Sequence, residues 1–122
     1  MRKKLILIAD DEENIVDLIK LSLGDDYDFI VAHDGKEALD IVKKKHPDLI
    51  LLDIMMPKMD GYEVCAKLKH NPATKDIVIA MISAKKETED ILQGVDIGAI
   101  AYITKPFSPY DLQEKVKELL EI

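Results

Sequence analysis

Short apolar runs alternate with longer amphipathic stretches along the whole chain. The runs are rich in Ile, Leu and Val, and continuous runs of this kind are typical of strands that are buried on both faces of a parallel sheet. The pattern therefore predicts five strands, at Leu5–Ala9, Phe29–Ala32, Leu49–Leu52, Ile77–Ile82 and Ile100–Ile103.

The stretches between these runs have helical periodicity and helix-end signals. The first predicted helix ends at Gly24, and its apolar face carries Ile15, Leu18, Ile19 and Ser22. Asp34 and Glu37 form a capping box for the second helix. The third and fourth helices are predicted over Tyr62–Lys69 and Thr88–Ile97.

The last predicted helix has the clearest start. Ser108 is its N-cap, Pro109 is in its first turn, and Asp111 adds a first-turn acid. Its inward positions are Leu112, Val116, Leu119 and Leu120.

Five β-α units in succession predict a doubly wound α/β domain, because right-handed crossovers place helices on both faces of a parallel sheet. With 122 residues the chain fits one domain, residues 1–122. Of the common strand orders, 2-1-3-4-5 suits five strands, and it puts the functional site beyond the carboxyl ends of strands 1 and 3.

Composition excludes several classes of function. The chain is 48% hydrophobic and 34% charged with a net charge of −7, which is typical of a globular protein and unfavourable for direct binding to nucleic acid or to an anionic membrane. Cys65 is the only cysteine, so neither an internal disulfide nor a cysteine-based zinc site can form. No apolar stretch approaches the roughly 20 residues of a membrane span, and we expect a cytoplasmic location.

Carboxylates gather at the predicted site. Strand 1 is followed by Asp10 and Asp11, and strand 3 by Asp53. Each acid alone could be a helix cap or a strand end, but three acids at one sheet edge would repel one another unless a proton or a cation intervenes. Carboxylate oxygens with open water positions suit Mg²⁺, which often binds substrate phosphate as well.

Strands 4 and 5 end in a hydroxyl and an ammonium, at Ser83 and Lys105. A carboxylate such as Asp53 can attack phosphorus in line if the charge of the phosphoryl oxygens is neutralised. Mg²⁺ would screen the incoming charge, Lys105 would pair with one phosphoryl oxygen, and Ser83 would donate a hydrogen bond to another. The product would be an acyl phosphate, a labile group suited to a reversible signal.

Four segments together resemble the receiver domain of two-component response regulators, of the stand-alone type related to chemotaxis regulators, and the resemblance extends over the whole chain. They are Ile8-Ala9-Asp10-Asp11-Glu12, Leu52-Asp53-Ile54-Met55-Met56-Pro57-Lys58-Met59-Asp60-Gly61, Met81-Ile82-Ser83-Ala84 and Tyr102-Ile103-Thr104-Lys105-Pro106-Phe107.

The resemblance implies a flavodoxin-like fold and a phosphoacceptor at Asp53. It implies that Mg²⁺ is bound directly by Asp11, by Asp53 and by the backbone carbonyl of Met55, while Asp10 acts mainly through a water. The phosphoryl donor would be a sensor histidine kinase or a phosphotransfer protein.

The resemblance also assigns roles at the ends of strands 4 and 5. Ser83 and Lys105 would hold the phosphoryl group, and the Lys105–Pro106 peptide bond would be cis. The rotamer of Tyr102 would change in response to Ser83. This change would switch the surface formed by the fourth helix, the fifth strand and the last helix. Ile100 and Ala101 stand where the family often has acids, which makes that surface more apolar.

Two residues flank the predicted route of a hydrolysing water, Met55 and Lys85. Neither side chain can accept the water's proton, so we expect slow self-dephosphorylation.

The residues at the predicted site also distinguish the receiver from proteins with other functions. A haloacid-dehalogenase-type phosphohydrolase needs an Asp where Met55 stands, and a flavin carrier needs a phosphate-binding first loop where this chain has Asp10–Glu13. A receiver that serves only as a binding module would not need the complete set of site residues.

Overall fold

The apolar runs form one parallel sheet in the computed structural model, which describes residues 2–84 and 98–121. The strand order is β2-β1-β3-β4-β5, so the predicted order 2-1-3-4-5 is confirmed. The strands are β1 (Lys4–Ala9), β2 (Tyr27–Ala32), β3 (Leu49–Asp53), β4 (Val78–Ser83) and β5 (Ala101–Thr104).

Four helices cover the sheet in the described residues: α1 (Glu13–Leu23), α2 (Gly35–Lys45), α3 (Gly61–Lys69) and α4 (Pro109–Leu120). A 3₁₀ turn at Gly24–Asp26 leads from α1 into β2. The predicted helix over Thr88–Ile97 lies outside the described residues.

The sheet divides the core into two layers. Successive side chains of a strand point to opposite faces, and β3 is buried along its whole length. Leu49 and Leu51 belong to the layer under α1 and α4, whereas Ile50 and Leu52 belong to the layer under α2 and α3. This burial on both faces is the reason why the strands read as continuous apolar runs.

The predicted inward face of α1 is wrong in one position. Leu18 is 38% exposed, and the buried positions are Val16, Ile19, Ser22 and Leu23. Helical residues advance by about 100° each, so Val16, Ile19 and Leu23 form one stripe and Leu18 lies away from it. The inward side chains predicted for α4 are confirmed for Leu112, Val116 and Leu119, and Leu120 is partly buried.

Three helices begin with the caps that their sequences predict or permit. Asp34 accepts a hydrogen bond from the amide of Glu37 (2.8 Å) at the start of α2, and Ser108 accepts one from the amide of Asp111 (3.0 Å) at the start of α4. Asp60 caps α3 in the same way. The side chain of Glu37 lies 3.4 Å from His33 Nδ1, so only the Asp34 half of the predicted capping box is seen.

Within residues 2–84 and 98–121, none of the helices combines the length and the apolarity that a bilayer crossing requires.

Candidate functional site

Two central strands deliver the acids to one edge of the sheet. Asp10 directly follows β1, and its amide donates to Ala32 O of the neighbouring strand β2 (3.0 Å), so the ladder holds its backbone in place. Asp53 is the last residue of β3. Both side chains are buried, Asp10 being 1% and Asp53 2% exposed, whereas Asp11 is exposed.

The acidic cluster has four members. Asp10, Asp11, Glu12 and Asp53 each offer a carboxylate oxygen, and these atoms all lie within 4.8 Å of one another. The prediction that the three aspartates meet is confirmed. Glu12 was not among the predicted ligands, although its place as the third consecutive acid after β1 was the available signal. Four carboxylates around one small space form an oxygen-rich ligand set, which fits a hard cation such as Mg²⁺.

Lys105 reaches into this cluster from the end of β5. Its Nζ lies 2.9 Å from Asp10 Oδ2, 3.4 Å from Asp53 Oδ2 and 3.6 Å from Glu12 Oε1, and its side chain is 11% exposed. Burial alone would lower the pKa of Lys105, but the hydrogen bond to Asp10 and the charge of Asp53 raise it. The ammonium therefore stays charged and partly offsets the carboxylates. The Lys105–Pro106 peptide bond is cis, as the family resemblance predicts.

The raised pKa of Asp53 indicates that the Lys105 ammonium alone does not offset the effects of burial and of the Asp10 charge on this carboxylate. Burial and the neighbouring charge of Asp10 raise the pKa of Asp53 to about 6, although Lys105 and the amide of Met55 act in the opposite direction. The carboxylate is therefore less stable than an ordinary aspartate, and further positive charge would favour its ionised form. This is the physical case for a bound cation beside Asp53.

Ser83 and Lys105 meet at the ends of adjacent strands. Ser83 ends β4, is 1% exposed and pairs in register with Thr104, and its carbonyl accepts a hydrogen bond from the Lys105 amide (2.8 Å). In the same sheet, Asp53 pairs in register with Ile82, the residue before Ser83. The strand register thus brings the predicted hydroxyl, ammonium and acceptor carboxylate to one edge.

The loop after β3 begins at the acceptor. The amide of Met55 donates to Asp53 Oδ1 (3.3 Å), while Met55 as a whole residue is 62% exposed. Met56 and Met59 are partly buried against the core below α2 and α3. Loop packing therefore accounts for Met56 and Met59, but not for the side chain of Met55. Lys85 lies outside the described residues.

Neither Asp10 nor Asp11 is the N-cap of α1. The N-cap of α1 is Glu12, and its side chain makes no capping hydrogen bond. Asp10 Oδ1 accepts a hydrogen bond from the Glu12 amide (2.9 Å), which shapes the turn before the helix, and its other oxygen faces Lys105. The purely structural interpretation of this acidic run therefore explains Asp10 in part and Asp11 not at all.

Comparison with known proteins gives a family match and a common fold. A family model described as the response regulator receiver domain matches residues 6–117. The chain is 46% identical over 121 residues to the alkaline phosphatase synthesis transcriptional regulatory protein PhoP of Bacillus subtilis, an alignment that covers 98% of this chain and 49% of PhoP. The chain spans about half the length of the curated relatives that it matches.

Solved structures have the same fold. The crystal structure of a CheY-like response regulator receiver domain protein from Methanospirillum hungatei has a TM-score of 0.88 at 34% identity, with 98% of this chain and 94% of that chain covered. The chemotaxis response regulator CheY4 of Vibrio cholerae has a TM-score of 0.90 at 29% identity, with 97% and 99% covered.

Proposed function

The chain belongs to the response regulator receiver domain family, and on that premise we propose that Asp53 accepts a phosphoryl group in a Mg²⁺-dependent reaction. The observation that carries the proposal is the position of Asp53 and the charges around it. It is a buried carboxylate at the end of a central strand, with Lys105 at 3.4 Å and three further acids around it.

In the transfer step, a carboxylate oxygen of Asp53 attacks the phosphorus of a phosphohistidine. A carboxyl oxygen–phosphorus bond forms, the phosphorus–nitrogen bond breaks, and the imidazole nitrogen leaves with its electron pair. Asp53 needs no separate base because an ionised carboxylate is already the nucleophile. Bound Mg²⁺ would supply positive charge that offsets the repulsion between the carboxylate and the phosphoryl oxygens. The ligands that we propose for it are Asp11, Asp53 and the Met55 carbonyl, with Asp10 acting through a water.

Lys105 and Ser83 hold the transferred group in this proposal. The Lys105 ammonium lies between Asp10 and Asp53, so a short shift of its flexible stem would bring it to a phosphoryl oxygen. The Ser83 hydroxyl would donate to a second oxygen. In this arrangement Lys105 and Ser83 contact the phosphoryl group, and the acids after β1 contact the metal ion, directly or through a water.

The partners follow from the chemistry. The phosphoryl donor is a sensor histidine kinase or a phosphotransfer protein, and a cytoplasmic location would keep the chain within reach of either donor. Output would proceed through Tyr102, which is partly buried against the core under α2 and α3 and lies in register with Met81. The predicted partner helix of that output surface lies outside the described residues.

The acceptor is tested by phosphorylation with a small phosphodonor and Mg²⁺. We expect one phosphoryl group on the wild-type chain by intact-mass analysis, and none on the Asp53→Asn variant or after chelation of Mg²⁺. Asp60→Asn is the matched control, because asparagine caps a helix as well as aspartate does and Asp60 contributes no atom to the acidic cluster. Undiminished labelling of Asp53→Asn would contradict the assignment.

A further inference from the structure

The loop between β3 and α3 comprises residues 54–60. Its first residue, Ile54, contacts Gly61, the first residue of α3. The amide of Gly61 donates to Ile54 O (2.9 Å). A Cβ atom added at Gly61 would overlap Asp53 O and lie 2.9 Å from Ile54 Cα, closer than real Cβ atoms approach. The backbone behind the acceptor carboxylate is therefore held directly against α3.

The other end of this loop lies against the first residue of α2. A Cβ atom added at Gly35 would overlap Met59 O and lie 2.7 Å from Met59 Cβ. Such contact is not a general property of glycines at helix ends, because a Cβ added at Gly24, after α1, would meet nothing within 4 Å. The start of α2 and the loop of the acceptor are thus fitted together at a position where only glycine leaves room.

The turn before Met59 is also built onto α2. Lys58 has a φ of 67°, a left-handed conformation that is unfavourable for a non-glycine residue. Its ammonium lies 3.5 Å from Asp34 Oδ2, and the other oxygen of Asp34 caps α2. The amide of Met59 donates to Pro57 O (2.7 Å). The Lys58–Asp34 pair therefore ties this turn to the start of α2, while the φ of Lys58 and the Met59 hydrogen bond fix the shape of the turn itself.

We propose that Gly35 is a positioning residue of the cation site, which fixes the 54–60 loop through Met59 and thereby gives the site its preference for Mg²⁺ over larger divalent cations. The inference rests on the proposed function, because it takes the Met55 carbonyl of this loop as a ligand. Mg²⁺ requires short and nearly octahedral coordination, whereas Ca²⁺ accepts longer and less regular geometry. A displaced loop therefore weakens the binding of Mg²⁺ more than the binding of Ca²⁺.

The test compares Gly35→Ala with Gly24→Ala in the full chain. Alanine at Gly24 is strained because φ there is +72°, but it meets no neighbour and lies away from the loop, so it provides a loss of stability without a change at the site. Calorimetric titrations with Mg²⁺ and with Ca²⁺ give the two dissociation constants. For Gly35→Ala we expect the Mg²⁺ constant to rise about tenfold, a usual effect for a residue that orients a metal ligand, and the Ca²⁺ constant to change much less. Gly24→Ala keeps the wild-type ratio.

Phosphorylation gives a second readout. With a small phosphodonor, Gly35→Ala should be slow at low Mg²⁺ and approach the wild-type rate at saturating Mg²⁺, because the acceptor and its hydroxyl and ammonium partners are intact. A variant that is only less stable would not show a deficit that Mg²⁺ concentration removes.

Lys58→Gly keeps the inference testable if Gly35→Ala does not fold. Glycine adopts the left-handed turn without strain, while the pair with Asp34 is lost and the loop gains freedom. We expect a weaker Mg²⁺ preference in a chain that is at least as stable as wild type. If wild type binds Mg²⁺ and takes up phosphoryl groups while both variants keep its Mg²⁺-to-Ca²⁺ ratio, the positioning role is wrong and the proposed function stands. If wild type binds no Mg²⁺, both are wrong.

Discussion

Asp53 combines burial with a like charge at close range, and this combination makes its ionised form unfavourable in the folded chain. Its pKa of about 6 exceeds the ordinary aspartate value of 3.8, since burial and Asp10 disfavour the charged form more than Lys105 favours it. Without a cation, the folded chain therefore carries an ionised group that it accommodates poorly at neutral pH.

The pH dependence of stability follows from the direction of that shift. The folded state binds the Asp53 proton more tightly than the unfolded state does. Protonation of Asp53 therefore adds to the free energy of unfolding below about pH 4, and this contribution is lost as pH rises through about 6. At 1.36 kcal/mol per pKa unit the loss is about 2–3 kcal/mol. Urea unfolding of the metal-free chain should show this decline, and Asp53→Asn should flatten it and be more stable at pH 7.5. A variant that is less stable than wild type at that pH would contradict the interpretation.

Cys65 illustrates the opposite case, a titratable group that burial makes inert. Burial raises the pKa of its thiol to about 11, and the side chain is inaccessible in the layer under α2 and α3. Since only the thiolate reacts, we expect negligible labelling by an aromatic disulfide reagent at pH 8 and full labelling in denaturant. Leu21→Cys is the positive control, because Leu21 is 81% exposed on α1. Rapid labelling of native Cys65 would show that this layer opens.

At the scale of single residues, sequence reasoning succeeded where topology decides and stopped where side-chain conformation decides. Asp10, Asp53 and Ser83 lie at the carboxyl ends of strands, and parallel strands in the order 2-1-3-4-5 bring such ends together. The approach of Glu12 to the cluster and the position of the Lys105 ammonium between Asp10 and Asp53 depend on side-chain rotamers. The spacing of residues in the sequence does not specify rotamers.

Among the elements, the helices are specified more strongly at their starts than along their lengths. Ser108, Asp34 and Asp60 each satisfy an otherwise unpaired first-turn amide. The face of α1 was harder to predict because Leu18 and Leu21 are apolar yet exposed, so hydrophobicity alone did not set the phase of the helix. The start of α2 against Met59 could not be foreseen, since a glycine after an N-cap does not reveal which backbone will approach it.

The cap of α4 gives a prediction at this scale. Ser108→Ala removes the acceptor for the Asp111 amide and should lower the free energy of unfolding by about 1 kcal/mol. Ser108→Asp retains an acceptor and adds a charge that suits the helix N-terminus, so it should match or exceed wild type. Denaturant midpoints measure both variants. An equal loss in the two would mean that the serine acts through packing rather than through the cap.

For the whole molecule, the proposed cation site would couple metal binding to folding through the acidic cluster. Any ligand that binds only the folded chain stabilises it by mass action, by about 2.7 kcal/mol at a hundredfold excess over its dissociation constant. The carboxylates belong to the ends of two central strands and to the turn after one of them, so the site exists only when the sheet is formed.

Thermal unfolding should therefore respond to Mg²⁺. For a chain of this size we expect Tm to rise on the order of 10 °C at such an excess. Asp11→Ala should lose most of this gain, while its metal-free form is no less stable than wild type because a repelling charge is removed. Sodium chloride at matched ionic strength separates specific binding from screening. The same gain with sodium alone would argue against a cation site.

The position of β2 has a consequence for how copies of the chain behave toward one another. β2 is the outermost strand on its side of the sheet, and within the described residues it pairs only with β1. Outer strands present open backbone groups that can template aggregation. Here the strand carries an exposed Asp28 and follows the exposed Asp25 and Asp26, so two such edges repel each other as they approach. The acidic residues at this edge thus oppose the pairing of β2 from two copies of the chain.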